Sequence, residues 1–484
     1  MSSKVVALLE QYGPMLSGEL ARIFEIEYKV SNEAARQALS RAKAPVHKLQ
    51  TISFEKNQKF FYLENQFLTQ QYMRELLQAI KTSSQVYWIY ICAFKAQKGY
   101  VAKNLLPALV SSPIQKVKGH KLHKQVVNDL LKCQIIEEYN DIYWKLNDQI
   151  LSVSQNFASA VGLEAVKKQV VNDFAKWARN INLIGYDSAK TLPASAEFAQ
   201  FQWALTAPSY IQPMYDFKHQ RPGFVVADIF YGQIADVEDV LFFLKKLSVI
   251  RTFEKLAPVF PVLLAESVTN EALKELKAHK VTIALIKNIF DDRYTELLAE
   301  IVHVFTYSSA IIAKNPEKIE VLFREISKSE GRYNDIIGDM FELLVGYYYQ
   351  QLGCRYLEIR KMIQIPGSTK TNEIDVLVIR DGQVIIVECK ATHSAVDTDF
   401  VEKWLSKNIE QIRDWFLAKY NDGTELTFQL WSLGGFTPEA LEKLNEAAAK
   451  TKKYKIEFFD RKQMLEMARE HKVQLVADIL HQKF

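Results

Sequence analysis

Residues 372–392 read NEIDVLVIRDGQVIIVECKAT. Two apolar runs flank Asp381-Gly382, a pair favoured in two-residue type I′ turns, so the stretch predicts a β-hairpin. Fixing that turn fixes the register. Arg380 then faces Gln383, Ile379 faces Val384, Leu377 faces Ile386, Asp375 faces Glu388 and Glu373 faces Lys390. Side chains alternate between the faces of a strand. Asp375, Glu388 and Lys390 therefore share one face at the open end of the hairpin, and Ile374, Val376, Ile385, Val387 and Cys389 share the other. Opposed Cβ atoms lie ~5 Å apart. Two carboxylates at that separation repel, and one holds its proton unless a cation lies between them. A divalent ion removes the conflict, and hard oxygen ligands suit Mg²⁺ or Mn²⁺.

Apolar residues on both faces of the hairpin predict a central sheet covered by helices on each side. The order around it is α/β: a helix over Tyr333–Leu352, the hairpin, the helix FVEKWLSKNIEQIRDWFLAKY, the strand LTFQLWSL, the helix TPEALEKLNEAAAKT and the strand YKIEFFD. In the first helix Asp335, Gly338, Asp339, Glu342, Gly346 and Tyr349 fall near one stripe. Glu342 lies within the apolar run FELLVG, a costly place for a charge without a partner, which marks it as a third acid.

Residues 186–325 repeat the alternation of strand and helix. TNEALKEL (Thr269–Leu276) and TPEALEKL (Thr437–Leu444) occupy matching places in the two segments, at an offset of 168. Shared helix-start chemistry could produce so short a match, and the matching element order points to a duplication. If FVVADIF corresponds to IIVECKA, Ala227 stands for Glu388 and Ile229 for Lys390. The middle segment is then expected to lack catalysis.

An acidic helix, then Asp, then Glu-x-Lys on the adjoining strand resembles the PD-(D/E)xK nuclease superfamily. The parts are Glu342, Asp375 and Glu388-Cys389-Lys390. The context is similar to the Mrr and Holliday-junction-resolvase branch, and to the nuclease domain of CRISPR-associated effectors with a cyclic-oligonucleotide sensor. The resemblance runs from Gly331 to Asp460 and departs from the named motif in Ile374, where the motif has proline. It implies that Asp375 and Glu388 hold Mg²⁺, with Mn²⁺ as a substitute. The Cys389 backbone carbonyl would help, as would Glu342, directly or through water. Lys390 would orient or deprotonate the attacking water, or stabilise the developing charge. The alternative is a structural salt bridge of Lys390 with Glu388 or Asp375. Arg360, Lys361 and Lys370 flank the site as candidate phosphate contacts. Lys407 and Gln411 face either the site or solvent, and His393 is expected in a loop.

Residues 1–70 read as helix, helix, hairpin and resemble a winged helix-turn-helix. Its second helix, Ser31–Lys43, would place Arg36, Arg41 and Lys43 on phosphate or base edges. Residues 71–150 look like a second copy, in which the basic run QKVKGHKLHK offers Lys118 and Lys121. Residues 1–150 hold 20 Lys+Arg against 13 Asp+Glu, and the remainder 41 against 44. A mildly basic first third is compatible with nucleic acid. Residues 151–185 read as a connecting helix, and 326–484 as the nuclease domain.

The expected fold is thus multidomain α+β and α/β: tandem winged helix-turn-helix domains, then two restriction-endonuclease-like α/β domains, the first degenerate. Four scattered cysteines without a CxxC pair give no zinc pattern and suit a reducing compartment. No leader pattern and no apolar run of ~18 residues is present, so a cytoplasmic protein is expected. The expected activity is metal-dependent endonucleolytic cleavage of DNA by a homodimer, with mobile-element defence, restriction or repair as its setting. Alternatives are an effector nuclease acting on DNA or RNA under a small-nucleotide activator, and a non-catalytic DNA-binding regulator.

Overall fold

A computed structural model describes residues 2–150, 155–186, 188–192, 196–328, 338–366, 371–392, 394–419 and 425–482. Asp335, Lys370 and His393 lie outside them. The chain forms two compact units, one of residues 1–156 and 174–289, the other of residues 157–173 and 290–484. The connecting helix, Phe157–Asn180, is divided between them. The chain divides at Ile289, not at residue 325. The helices Asp292–Thr306 and Ser308–Lys314 belong with the C-terminal sheet, where Ser309 Oγ accepts from the Ile359 amide at 2.9 Å.

The first unit begins with three helices and three strands. The helices are Ser2–Tyr12, Ser17–Tyr28 and Asn32–Ser40. The strands Met15–Leu16, Val46–Leu49 and Phe60–Leu63 form an antiparallel sheet with the last in the middle. The Ser31 side chain caps the third helix by accepting from the Ala34 amide, as its position predicts. Val5, Leu8, Leu20, Phe24, Ala35, Leu39 and Phe61 close one core between these elements. Residues 85–146 repeat the order: Gln85–Ala96, the strand Tyr100–Ala102, Leu106–Leu109, His123–Lys132, then the strands Ile136–Glu138 and Tyr143–Leu146. The last strand is again central.

Each unit then builds a five-stranded sheet, and the two sheets have the same topology. In the first unit the strands run Lys190–Thr191, Leu205–Ser209, Gly223–Phe230, Val259–Ala265, Thr282–Leu285. In the second they run Tyr356–Gln364, Thr371–Arg380, Gln383–Lys390, Glu425–Ser432, Lys455–Asp460. Both pair antiparallel, antiparallel, parallel, parallel. Isolated bridges join Ala235 to Val268 and Val396 to Phe436 at equivalent places. Asp236 and Asp397 cap equivalent helices. The eight-residue match therefore sits inside a repeat of whole sheets. Helices cover both faces of the second sheet. Val401, Trp404, Ile412 and Phe416 pack with Leu377, Ile386 and Phe428 on one side. On the other, the helix Phe341–Gln351 approaches so closely that a Cβ at Gly346 would meet Ile359 Cδ1 at 2.7 Å. No single helix among the described residues is long and apolar enough to cross a membrane.

Candidate active site

The hairpin forms with the predicted register. Asp381 and Gly382 take φ of 50° and 78°, as a type I′ turn requires. The ladder runs from Arg380–Gln383 to Val376–Val387 and there stops. Glu388, Cys389 and Lys390 stay paired on their other side, to Leu430, Trp431 and Ser432. Asp375 consequently does not oppose Glu388 as a ladder pair. It reaches across the parted strands, and its Oδ2 accepts from the Cys389 amide at 2.7 Å.

The neighbouring strand is irregular at the same step. Arg360 has φ of +55°, in the left-handed region. The ladder pairs Ile359 with Val376 and Lys361 with Ile374 but omits the step between them, Arg360 with Asp375. A left-handed residue turns the backbone and disturbs the alternation of faces. Ile374 accordingly packs in the same core as Leu377 and Ile386, rather than with Cys389 on the other face.

This break gathers charge at the open end of the hairpin. Glu342, in the first turn of its helix, places Oε2 at 2.8 Å from Arg360 Nε. Lys390 Nζ lies 2.7 Å from Glu388 Oε1 and 4.4 Å from the centre of the Phe400 ring. Burial pushes the Asp375 carboxyl well above the carboxylate range, and the charges of Glu388 and Glu342 push it further. Burial also raises Glu342, against the pull of Arg360 and Lys390. Glu373 is pushed up to about 8 by burial and then by Glu342. Burial disfavours the Lys390 ammonium, but Glu388 and Asp375 outweigh it and hold its pKa above the ordinary lysine range. Burial raises the Cys389 thiol well above its usual value. Among the described residues no three Asp, Glu, His or Cys side chains converge to hold a metal ion. In this arrangement Glu342 is drawn to Arg360 and Glu388 to Lys390.

Glu373 belongs to this cluster although the motif does not include it. Its signal was in the sequence, two residues before Asp375 and opposite Lys390 in the predicted register. Arg360, expected as a phosphate contact, has a side chain only 6% exposed and paired with Glu342. Lys361 pairs with Glu358 and lies near the Trp415 ring. Gln411 Oε1 accepts from Asn372 Nδ2 at 3.2 Å, beside the acids, and Lys407 is exposed.

The basic candidates of the first unit divide in two. Arg36, Arg41 and Lys43 are exposed on and just after the helix Asn32–Ser40. Lys118 is exposed too. Lys121 is committed, 2.8 Å from Asp129 Oδ2 and donating to the Tyr87 hydroxyl at 2.7 Å. The middle sheet has none of the acids. Pairing and helix caps place Leu205 at the position of Asp375, Ala227 at that of Glu388 and Ile229 at that of Lys390. Its ladder continues through Leu205–Ala227. Asp228 is buried beside them, 2.8 Å from the fully buried Lys246, which also donates to the carbonyls of Ala108 and Gln202.

Residues 337–429 match the family model of the nuclease-related domain, NERD. The match spans Glu342, Arg360, Asp375 and Glu388-Cys389-Lys390. This stretch is similar to the nuclease-related domain. No curated protein matches the chain. A crystal structure of AF1548, a protein of unknown function, aligns at 17% identity and a TM-score of 0.21, covering 28% of this chain and 66% of that one. The chain thus spans slightly under two thirds of that protein. The nuclease-related domain supplies the acids, the lysine and the parted strands, and it supports a nuclease of the restriction-endonuclease-like kind.

Proposed function

We propose that the chain is a PD-(D/E)xK-type, metal-dependent endonuclease that hydrolyses phosphodiester bonds in DNA. One observation carries the reading: the Asp375 carboxylate rests on the amide of Cys389, inside the Glu388-Cys389-Lys390 triplet, at the place where the two strands part. The donor set is of the right kind for Mg²⁺ or Mn²⁺, since hard carboxylate oxygens crowd together and repel. Asp375, Glu388 and the Cys389 carbonyl would hold the ion. Glu342, engaged by Arg360, would contribute through water. The ion supplies charge neutralisation and a more acidic bound water. Without an ion, the surrounding carboxylates hold the Lys390 proton. Lys390 would orient or deprotonate the attacking water, or stabilise charge developing on the phosphate.

The N-terminal helices and strands support a winged helix whose helix Asn32–Ser40 presents Arg36, Arg41 and Lys43 to DNA. The middle sheet is a degenerate nuclease-like copy, and two chains would cut the two strands of a duplex.

The test is cleavage of single-stranded, duplex and branched DNA, and of RNA, with Mg²⁺ or Mn²⁺. Glu388→Ala and Lys390→Ala should each lower cleavage by at least ~10²-fold while DNA binding persists. A pure wild-type chain that cuts none of these substrates sinks the reading. DNA binding that survives removal of residues 1–70 sinks the winged-helix part alone.

A further inference from the structure

The helices Asn32–Ser40 and His123–Lys132 occupy the same place in the repeated order, each the last helix before a closing pair of strands. Ala35 and Leu39 face the core in the first, Val126 and Leu130 in the second, which aligns Asn32 with His123. The outer face of the first helix then consists of Asn32, Glu33, Arg36, Gln37 and Ser40, all exposed. The same face of the second consists of His123, Lys124, Val127, Asn128 and Leu131. Arg36 is replaced by Val127, which is only 8% exposed, and Ser40 by Leu131. A face suited to polar contacts in one helix is thus apolar at its middle and end in the other.

That face lines a cavity of about 500 Å³, the size of a small-molecule site. Pro107, Ile114 and Trp144 form further walls, and Glu197 and Gln202 close it from the middle segment. The closing residues oppose each other in the ladder of the strands Glu197–Phe198 and Phe201–Gln202. The walls are pinned by the buried charge pair described above. Lys246 Nζ, 2.8 Å from Asp228 Oδ2, donates to the Gln202 carbonyl at 2.8 Å and to the Ala108 carbonyl, next to Pro107, at 2.6 Å. One buried ammonium therefore holds both sides of the cavity at a fixed separation, and the cavity is formed before any ligand arrives.

The lining has a definite chemistry. Val127, Leu131, Ile114 and the Trp144 indole offer apolar surface that suits a flat ring. Lys103 Nζ lies 4.4 Å from the centre of the Trp144 ring and pairs with Glu138. Lys124 is exposed, with no ion pair or hydrogen bond among the described residues. His123 is tied to the Tyr90 hydroxyl at 2.8 Å, and burial holds its ring neutral. Glu197, exposed, is the one acid of the lining among the described residues. Two ammonium groups against one carboxylate favour an anion.

We propose that this cavity binds a small planar aromatic molecule carrying one anionic group, with its ring against Val127, Leu131 and Trp144 and its anion at Lys103 and Lys124. The second helix-and-strand copy would then hold a small molecule with the helix face that the first copy leaves open. The proposal is independent of the metal-dependent reading above.

The probe is anilinonaphthalene sulfonate, titrated into the full chain and followed by its fluorescence. Phenylnaphthylamine, the same ring system without the sulfonate, is the uncharged comparison. Wild type should bind the sulfonate saturably and more tightly than the uncharged dye. Asn128→Trp, which fills the cavity from an exposed position, should weaken sulfonate binding by about tenfold or more. Lys103→Met combined with Lys124→Met should remove the preference for the sulfonate. Folding of each variant is checked by near-ultraviolet circular dichroism, and the lysine variant keeps the test decisive if Asn128→Trp does not fold. No saturable binding to wild type, a smaller loss in folded Asn128→Trp, no preference for the sulfonate on wild type, or a preference retained in the lysine variant each overturns the proposal. None of these outcomes bears on metal-dependent cleavage.

Discussion

Glu373 shows what crowding does to a single side chain. Its carboxyl is pushed from an ordinary 4.5 up to about 8 in the fold, first by burial and then by Glu342. The folded chain thus binds a proton there that the unfolded chain releases between those values. Stability from this group is full below the unfolded pKa and is lost as pH rises through the folded one. The melting temperature of the metal-free chain should therefore fall between pH 5 and 8.5, and Glu373→Gln should flatten the fall. A thermal-shift series across that range checks it. Divalent-ion binding should follow the opposite sign. Asp375, Glu342 and Glu373 all hold protons more tightly than usual, and an ion binds the deprotonated forms. Affinity should rise across the same window with release of protons, visible as buffer-dependent heat in calorimetry. Asp375, Glu388 and Lys390 were legible in the sequence because one turn fixes their register. The role of Arg360 was not, because a left-handed residue within a strand leaves no mark in hydrophobic alternation. The predicted pairing of Asp375 with Glu388 failed for the same reason, since it assumed a ladder regular to its end.

Among the elements, the hairpin turn is the most exacting. Gly382 has φ of 78° with open space around its Cα, so a substitution there meets backbone strain and no clash. Gly382→Val should cost about 1–2 kcal/mol, read from urea unfolding, and the site at the far end of the strands should keep its divalent-ion affinity. Packing is less forgiving. Phe428 is fully buried against the helices after the hairpin, and Phe428→Ala should cost about 3–5 kcal/mol. The order of strands and helices was readable from apolar periodicity, and Ser31 and Asp381-Gly382 from local chemistry. The domain boundary was not. Helices 292–306 and 308–314 carry ordinary amphipathic patterns, and nothing local says which sheet they join.

At the scale of the molecule the described residues form two sheets of one topology, and the acid cluster lies on the second. The middle sheet holds a charge pair in its core. Asp228 and Lys246 are both fully buried, and Asp228 also accepts from the Ala204 amide at 2.8 Å. Asp228→Ala would leave the ammonium buried without its counter-charge and should destabilise the first unit by about 3–5 kcal/mol, measured by denaturant unfolding. The likeness of the two sheets showed in the sequence as eight residues around a helix start. The strands around it diverged freely, and only their pairing reveals the match.

The parting of the strands beyond Val376–Val387 bears on how such a duplicate evolves. The nuclease-related domain holds its ladder open for its acids, whereas the middle sheet zips through Leu205–Ala227 at the equivalent step. Restoring the acids alone would therefore not rebuild the site in the middle sheet. Acids placed at 205 and 227 would face each other across an intact ladder, with no left-handed neighbour beside them among the described residues. Point substitutions at those two positions would not by themselves reproduce the parted strands of the second sheet.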